Sequence, residues 1–497
     1  MTLSRRAILA CLTAFLWPNA VQAAPKAKEL PRRTNHSSHH LKPTVVPRLT
    51  GNPLPIPPIL DVSSVASLEL KVETVTHAFI PGQSTEIVGY NGSYPGPTLR
   101  LKRGETITAW LLNALDRPTN LHWHGLRIES GSDGALSSIA SGGSWDVPIR
   151  IDQPAATLWY HEQRPDTPGL DRPLGMLLID DQDSATSGLP STYGVDDFPL
   201  ILEDPTFDAD GKPIGQPTAT SALIGTRGKT ILVNGIIEPL LKVPQRLVRL
   251  RILNAARARV FRLFMDDERS FYLVAGDGGF VQAPIEIDTL ILAPGERAEI
   301  LVDFADGSTS LLSTPDAIDV ATDGHVEHFP DSFEKPFRVI AFEAEKDAIA
   351  SRPLPSKLPA PTPFGVPNDA KRRQFELRVA RDSASTTGVI ATINGKSFDP
   401  ARQDIVVKRG EVEIWQFTTT GQAMPIHISG AEIYVRSASD TDLAAWNQSA
   451  KDTIFIETSI ELAVRFPYST SGNAPYLILC TQPELAADGL IATVVVD

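Results

Sequence analysis

The sequence predicts an all-β protein made of three consecutive β-sandwich domains, and three observations carry that reading. An Asn-Gly pair recurs at Asn91-Gly92, Asn234-Gly235 and Asn394-Gly395, each time ahead of a proline and a run with strand patterning. The spacings of 143 and 160 residues are too long for solenoid repeats and suit whole domains. Apolar residues alternate in short stretches bounded by Gly and Pro, as in half-buried strands. The 41 prolines would break helix interiors but fit strand ends and turns.

Composition sets outer limits. The chain has 497 residues, room for about three domains at roughly 100–200 residues each. It is 42% hydrophobic and 21% charged, an ordinary globular balance. A net charge of −13 argues against nucleic acid as a partner, because no general basic field is available to hold a polyanion. No apolar run reaches the 18 or so residues that a membrane span needs.

Taken in order, residues 1–23 read as an export signal. Arg5 and Arg6 directly precede an apolar segment from Ala7 to Trp17, and Val21-Gln22-Ala23 supplies a cleavage site. The paired arginines are of the twin-arginine type, which delivers a protein already folded, so the expected location is the periplasm. An ordinary secretory signal is the alternative. Cleavage after Ala23 removes two arginines and no acid, taking the net charge from −13 to −15. It also removes Cys11 and leaves Cys480 alone, so no internal disulfide is expected. Residues 24–58 form a Pro-rich linker holding His36, His39 and His40, which read as a solvated tail more readily than as metal ligands.

The first sandwich is expected over 59–187, with the run Thr98-Leu-Arg-Leu-Lys-Arg-Gly-Glu. The second is expected over 188–347, with Leu241-Lys-Val-Pro-Gln-Arg-Leu-Val-Arg-Leu-Arg-Ile. A second linker occupies 348–372. The third sandwich, 373–497, carries Asp404-Ile-Val-Val-Lys-Arg-Gly-Glu-Val-Glu-Ile-Trp and a short helix from Asp440 to Asn447.

Chemistry concentrates in four segments. In Leu121-His122-Trp123-His124-Gly125 the histidines sit at i and i+2, which on a strand puts both imidazoles on one face. Thr157-Leu-Trp-Tyr-His161-Glu-Gln163 follows, then Met424-Pro-Ile-His427-Ile-Ser429-Gly430, then Leu479-Cys480-Thr481. Each is weak alone; order, spacing and flanking residues together are specific.

On these segments the chain resembles the three-domain bacterial multicopper oxidases of cupredoxin fold. The likeness extends through Tyr94-Pro-Gly-Pro-Thr, Tyr193-Gly-Val-Asp-Asp-Phe-Pro, Val248-Arg-Leu-Arg-Ile-Leu-Asn-Ala, Gly276-Asp-Gly-Gly-Phe and Lys451-Asp-Thr. It implies three cupredoxin-like Greek-key sandwiches. It also implies a type 1 copper on Cys, two His and often Met, beside a histidine-rich trinuclear cluster that reduces oxygen.

Carried over position by position, the ligand set is broken. His122 and His427 stand at type 2 positions, and His124 and His161 at type 3 positions. Gln163, Ser429, Leu479 and Thr481 replace the other type 3 histidines. Around Cys480 the type 1 partners are replaced by Met424, Leu485 and Leu490. A blue copper site needs thiolate and imidazole together, and leucine ligates nothing. Four-electron oxidase activity is therefore not expected, and no catalytic residue is assigned. The expected cofactor load is none or one Cu, on His122, His124, His161 and His427.

Two functions follow. The chain is similar to exported, division-associated members of the family that lack copper ligands, which implies a monomeric, non-catalytic scaffold with periplasmic division or envelope proteins as partners. The alternative is a copper-binding homologue with one residual histidine site and oxidoreductase activity.

Overall fold

Each repeated Asn-Gly pair is a turn in which both residues take positive φ: Asn91 at 49° and Gly92 at 76°, Asn234 at 49° and Gly235 at 77°, Asn394 at 53° and Gly395 at 73°. Asparagine tolerates that conformation better than most residues, and glycine adopts it freely. Each asparagine side chain also clamps a neighbouring strand at two residues. Asn91 Oδ1 accepts from Lys71 N–H and its Nδ2 donates to Glu69 O. Asn234 does the same with Ile201 and Pro199, and Asn394 with Glu376 and Gln374. One local device is thus used three times.

The computed structural model describes residues 49–62, 67–164, 172–214, 218–322, 325–346, 351–438, 443–471 and 474–497. The export segment and the linker histidines His36, His39 and His40 lie outside them.

Around the clamps, strands assemble into pairs of sheets. The first sandwich has sheets of four and five strands, the second of six and seven, and the third of five and five. The same mixed pairing recurs. Ser67–Ile80 runs parallel to Thr106–Asn113, Asp197–Glu203 to Leu247–Asn254, and Arg372–Arg381 to Val412–Thr420. Parallel neighbours far apart in sequence require crossover connections, so these are not simple meanders. Each sandwich holds its own apolar core, around Leu99 and Ile149, Leu250 and Phe304, and Trp415 and Ile426.

Two details differ from the sequence reading. Within the stretch expected as linker, Asn52–Pro53 forms an edge strand parallel to Pro239–Pro244, with Leu54 N–H donating to Leu240 O. An edge strand tolerates proline because one side of it needs no donor. The helix expected over 440–447 contributes only a 3-10 turn at Ala445–Asn447; residues 439–442 lie outside the described set.

Charged pairs join the elements that carry the site. Arg251 bonds Asp197 and Glu299 in the second sandwich, and Glu299 accepts from Thr157 Oγ1 of the strand Ala156–His161 at 2.6 Å. Arg297 grips Asp452 at 2.7 and 2.6 Å, and Lys451 bonds Glu296 at 2.8 Å and Asp277 at 2.9 Å. All of these residues are buried.

Candidate functional site

Strand pairing gathers the histidines. His122–His124 runs antiparallel to Ala156–His161, with His122 opposite His161 and His124 opposite Trp159. The i, i+2 spacing places the His122 and His124 rings 5.3 Å apart, as a strand requires. His427 comes from Met424–Ile428, opposite Thr453 on one side and Leu479 on the other. Its ring centre lies 5.2 Å from that of His122 and 3.8 Å from that of His124. All four histidines are buried. The imidazoles expected to converge do so.

Each ring is held by its outer nitrogen. His122 Nδ1 lies 2.8 Å from the Asp133 carboxylate, and His427 Nδ1 lies 3.0 Å from the Asp452 carbonyl oxygen. Both partners accept only, so both Nδ1 atoms carry the hydrogen. The two Nε2 atoms then face each other at 3.2 Å. Two neutral imidazoles arranged this way oppose lone pair to lone pair, which calls for a proton or a cation between them. His124 Nδ1 and His161 Nε2 lie 3.3 Å apart, with His161 Nδ1 donating to Glu162 O at 2.8 Å. His124 Nε2 lies 2.8 Å from Thr453 Oγ1 and 3.4 Å from Asp452 Oδ1.

Electrostatics favour neutral rings at His124, His161 and His427. Burial holds His124 well below the usual histidine range, aided by His427. Burial does the same to His161, aided by the Arg172 charge. His427 is also lowered by burial, against the opposing pull of Asp452. Burial pushes Asp452 up, but the Arg297 guanidinium overrides it and holds the carboxyl well below its ordinary value. Neutral imidazole is the form that ligates metal.

Where the resemblance expects a type 1 copper, Cys480, Met424, Leu485 and Leu490 share one apolar core with Ile426 and Ile428, and each is at most 1% exposed. Burial pushes the Cys480 thiol up to about 12, so it is not a thiolate at neutral pH. A type 1 copper does not fit these residues. Of the positions where the resemblance expects further type 3 histidines, Ser429 and Thr481 have side chains committed elsewhere, Gln163 is bound through its backbone alone, and Leu479 has no donor. Ser429 Oγ accepts from Leu477 N–H at 2.8 Å, Thr481 Oγ1 donates to Pro294 O at 2.8 Å, and Gln163 pairs through its backbone with the Asn120 side chain. Leu479 packs with Ala486 and Ile491. A coupled copper pair does not fit either. Among the described residues, the one triad whose ligand atoms could hold a metal ion is His122, His124 and His427, within 4.8 Å of one another.

Sequence reasoning did not single out Asp133, which orients His122 and stands at no period that links it to the histidine pair. Asp452 and Thr453 sat inside the quoted Lys451-Asp-Thr segment but without a role; the contacts of Thr453 with His124 and His427, and the place of Asp452 beside a buried arginine, emerge only in three dimensions.

Comparison with known proteins follows the same division. Residues 71–184, 189–310 and 365–497 each match a multicopper oxidase domain profile. A protein named "Cell division protein FtsP" from Edwardsiella tarda (strain FL6-60) is 33% identical over 453 residues, covering 89% of this chain and 92% of that protein. The protein of the same name from Escherichia coli (strain K12) is 29% identical over 458 residues, covering 90% and 93%. Among solved structures, the laccase-like multicopper oxidase CueO from a lignin-degrading Ochrobactrum sp. superposes with a TM-score of 0.80. It is 34% identical and covers 90% of this chain and 100% of that one. The McoA multicopper oxidase from Aquifex aeolicus gives a TM-score of 0.78 at 27% identity, covering 90% and 100%.

Proposed function

The chain belongs to the multicopper oxidase family and has its three cupredoxin-like Greek-key sandwiches, and from that premise we propose that it is an exported, non-catalytic scaffold supporting cell division or envelope integrity. Overall identity does not decide between scaffold and oxidase, because relatives named for cell division and a solved oxidase match about equally well. Site chemistry supports the scaffold. The observation that carries the reading is the type 1 position, where a neutral thiol is sealed among Met424, Leu485 and Leu490. Electrons from a substrate have no entry there, so the four-electron reaction has no route.

Deletion should weaken division or the envelope under osmotic or detergent stress, read as filamentation or lysis. Complementation should survive replacement of His122, His124, His161 and His427 by alanine. If folded quadruple variants fail to complement, the scaffold reading is wrong. Export through the folded-protein route is the companion proposal, with the mature protein in the periplasm. Replacing Arg5 and Arg6 by lysine should then leave precursor in the cytoplasm, whereas undiminished export would point to the ordinary secretory route.

A second reading has its own support in the facing Nε2 atoms of His122 and His427. These two residues, with His124 beside them, would hold one copper ion, which supplies Lewis acidity or one-electron exchange when bound. Asp133 and the Asp452 carbonyl fix the ring tautomers, and Thr453 holds His124 in place. A metal held there is compatible with a scaffold, in which it would be structural.

A further inference from the structure

Beside the histidines lies a small cavity of about 40 Å³, walled by His124, Trp159, His161, Arg172, Arg257 and Thr481 among others. Arg172 is a charge in that wall with no ion pair among the described residues. Its Nη2 donates to Ala255 O at 2.8 Å, and its guanidinium lies over the Trp159 ring, 5.5 Å from the centroid. No carboxylate of the described residues pairs with it. Among the described residues its Nε and Nη1 have no hydrogen-bond partner.

Two neighbouring charges are already committed. Arg257 is paired with Glu484 at 3.2 Å, and Glu162 with Arg117 at 2.6 Å. Glu203, which shares an adjoining cavity with Arg172, accepts from Tyr94 Oη at 2.5 Å, and burial pushes its carboxyl up to about 7. Burial and the Arg257 charge bring Arg172 down to about 10, against the opposing pull of Glu203 and Glu484. Arg172 is half-buried, and a charge partly withdrawn from water gains from a counter-charge that makes up for the solvation it has lost. The imidazoles of the wall are neutral and cannot serve. Trp159 adds a buried Nε1–H without a partner among the described residues.

We propose that this cavity binds a small oxyanion of three or four non-hydrogen atoms, of the formate, bicarbonate or nitrate type, with Arg172 as its counter-charge. At roughly 10–15 Å³ per water, the space holds about three waters, which is the scale of such an anion. Guanidinium suits the role because it is planar, always charged and weakly hydrated. The site needs no metal, so it stands independently of the histidine reading.

The test uses the purified protein, stripped with EDTA and dialysed into a buffer whose anion is bulky. Sodium formate and sodium nitrate are titrated in, following the melting temperature and the calorimetric heat. The expected result is a saturable rise in melting temperature with a matching binding isotherm. Arg172→Met should lose both, and Arg172→Lys should bind at least tenfold more weakly. Prior removal of metal separates this outcome from that of the copper proposal. The assignment is overturned if the wild type shows no saturable binding, or if Arg172→Met responds as the wild type does. Should Arg172→Met not fold, Arg172→Lys decides, and an unchanged affinity there overturns the assignment.

Discussion

Cys480 and His427, in adjacent strands of one sheet, show two fates for positions at which the family resemblance expects ligands. Cys480 has become core: its neighbours are apolar, and its thiol is too basic to ligate without a large input of energy. His427 keeps a ligand's surroundings, with one nitrogen anchored and the other facing His122. These fates predict zero or one tightly bound copper per chain, without blue colour and with a type 2 paramagnetic signature where copper is present. Replacing His122 and His427 together by alanine should abolish that binding, and Cys480→Ser should leave the copper content unchanged. Elemental analysis with electron paramagnetic resonance checks both, and four coppers with an intense blue band would refute the assignment. The histidine pair was legible because a strand's period of two fixes which residues share a face. Asp133 was not legible: it reaches His122 from a four-residue helix, and no period predicts that contact.

At the scale of elements, the Asn-Gly turn was visible as a threefold repeat, but its clamp was not, since a sequence does not say which strand a side chain will brace. The clamps also differ in depth. Asn234 is fully buried and adds a bond to Pro55 O at 2.9 Å, whereas Asn91 and Asn394 are exposed. Removing a buried amide leaves backbone groups unpaired at about 1–3 kcal/mol each, while water replaces an exposed one. Asn234→Ala should therefore destabilise by about 3 kcal/mol or more, and Asn394→Ala by about 1 kcal/mol. Equal shifts in urea midpoint for the two variants would show that the clamp is not what matters.

At the scale of the whole molecule, ion pairs hold the sandwich edges in register around the site, and nothing in the composition announced them. Arginines at 249 and 251 alternate with leucine in a strand that reads as half-exposed, yet both are buried against Glu299. Tertiary context overrode the pattern because each charge found its partner on an adjacent strand. Burial alone would raise Glu299; Arg249 and Arg251 instead bring it down to about 2. Its unfolded value is about 4.3, so the native carboxylate is the favoured form. A depressed value contributes stability that is present above the unfolded pKa and is lost as pH falls from about 4.3 toward 2. The gap of roughly two units corresponds to about 3 kcal/mol, which Glu299→Gln would forfeit at pH 7 while leaving two buried arginines short of an acceptor. That variant should thus be destabilised by about 3–5 kcal/mol at neutral pH, and its deficit against the wild type should shrink as pH drops below 4. Urea unfolding at pH 7, 4 and 3 measures the deficit directly. A deficit that stays constant across that range would mean that Glu299 acts through packing and not through its charge.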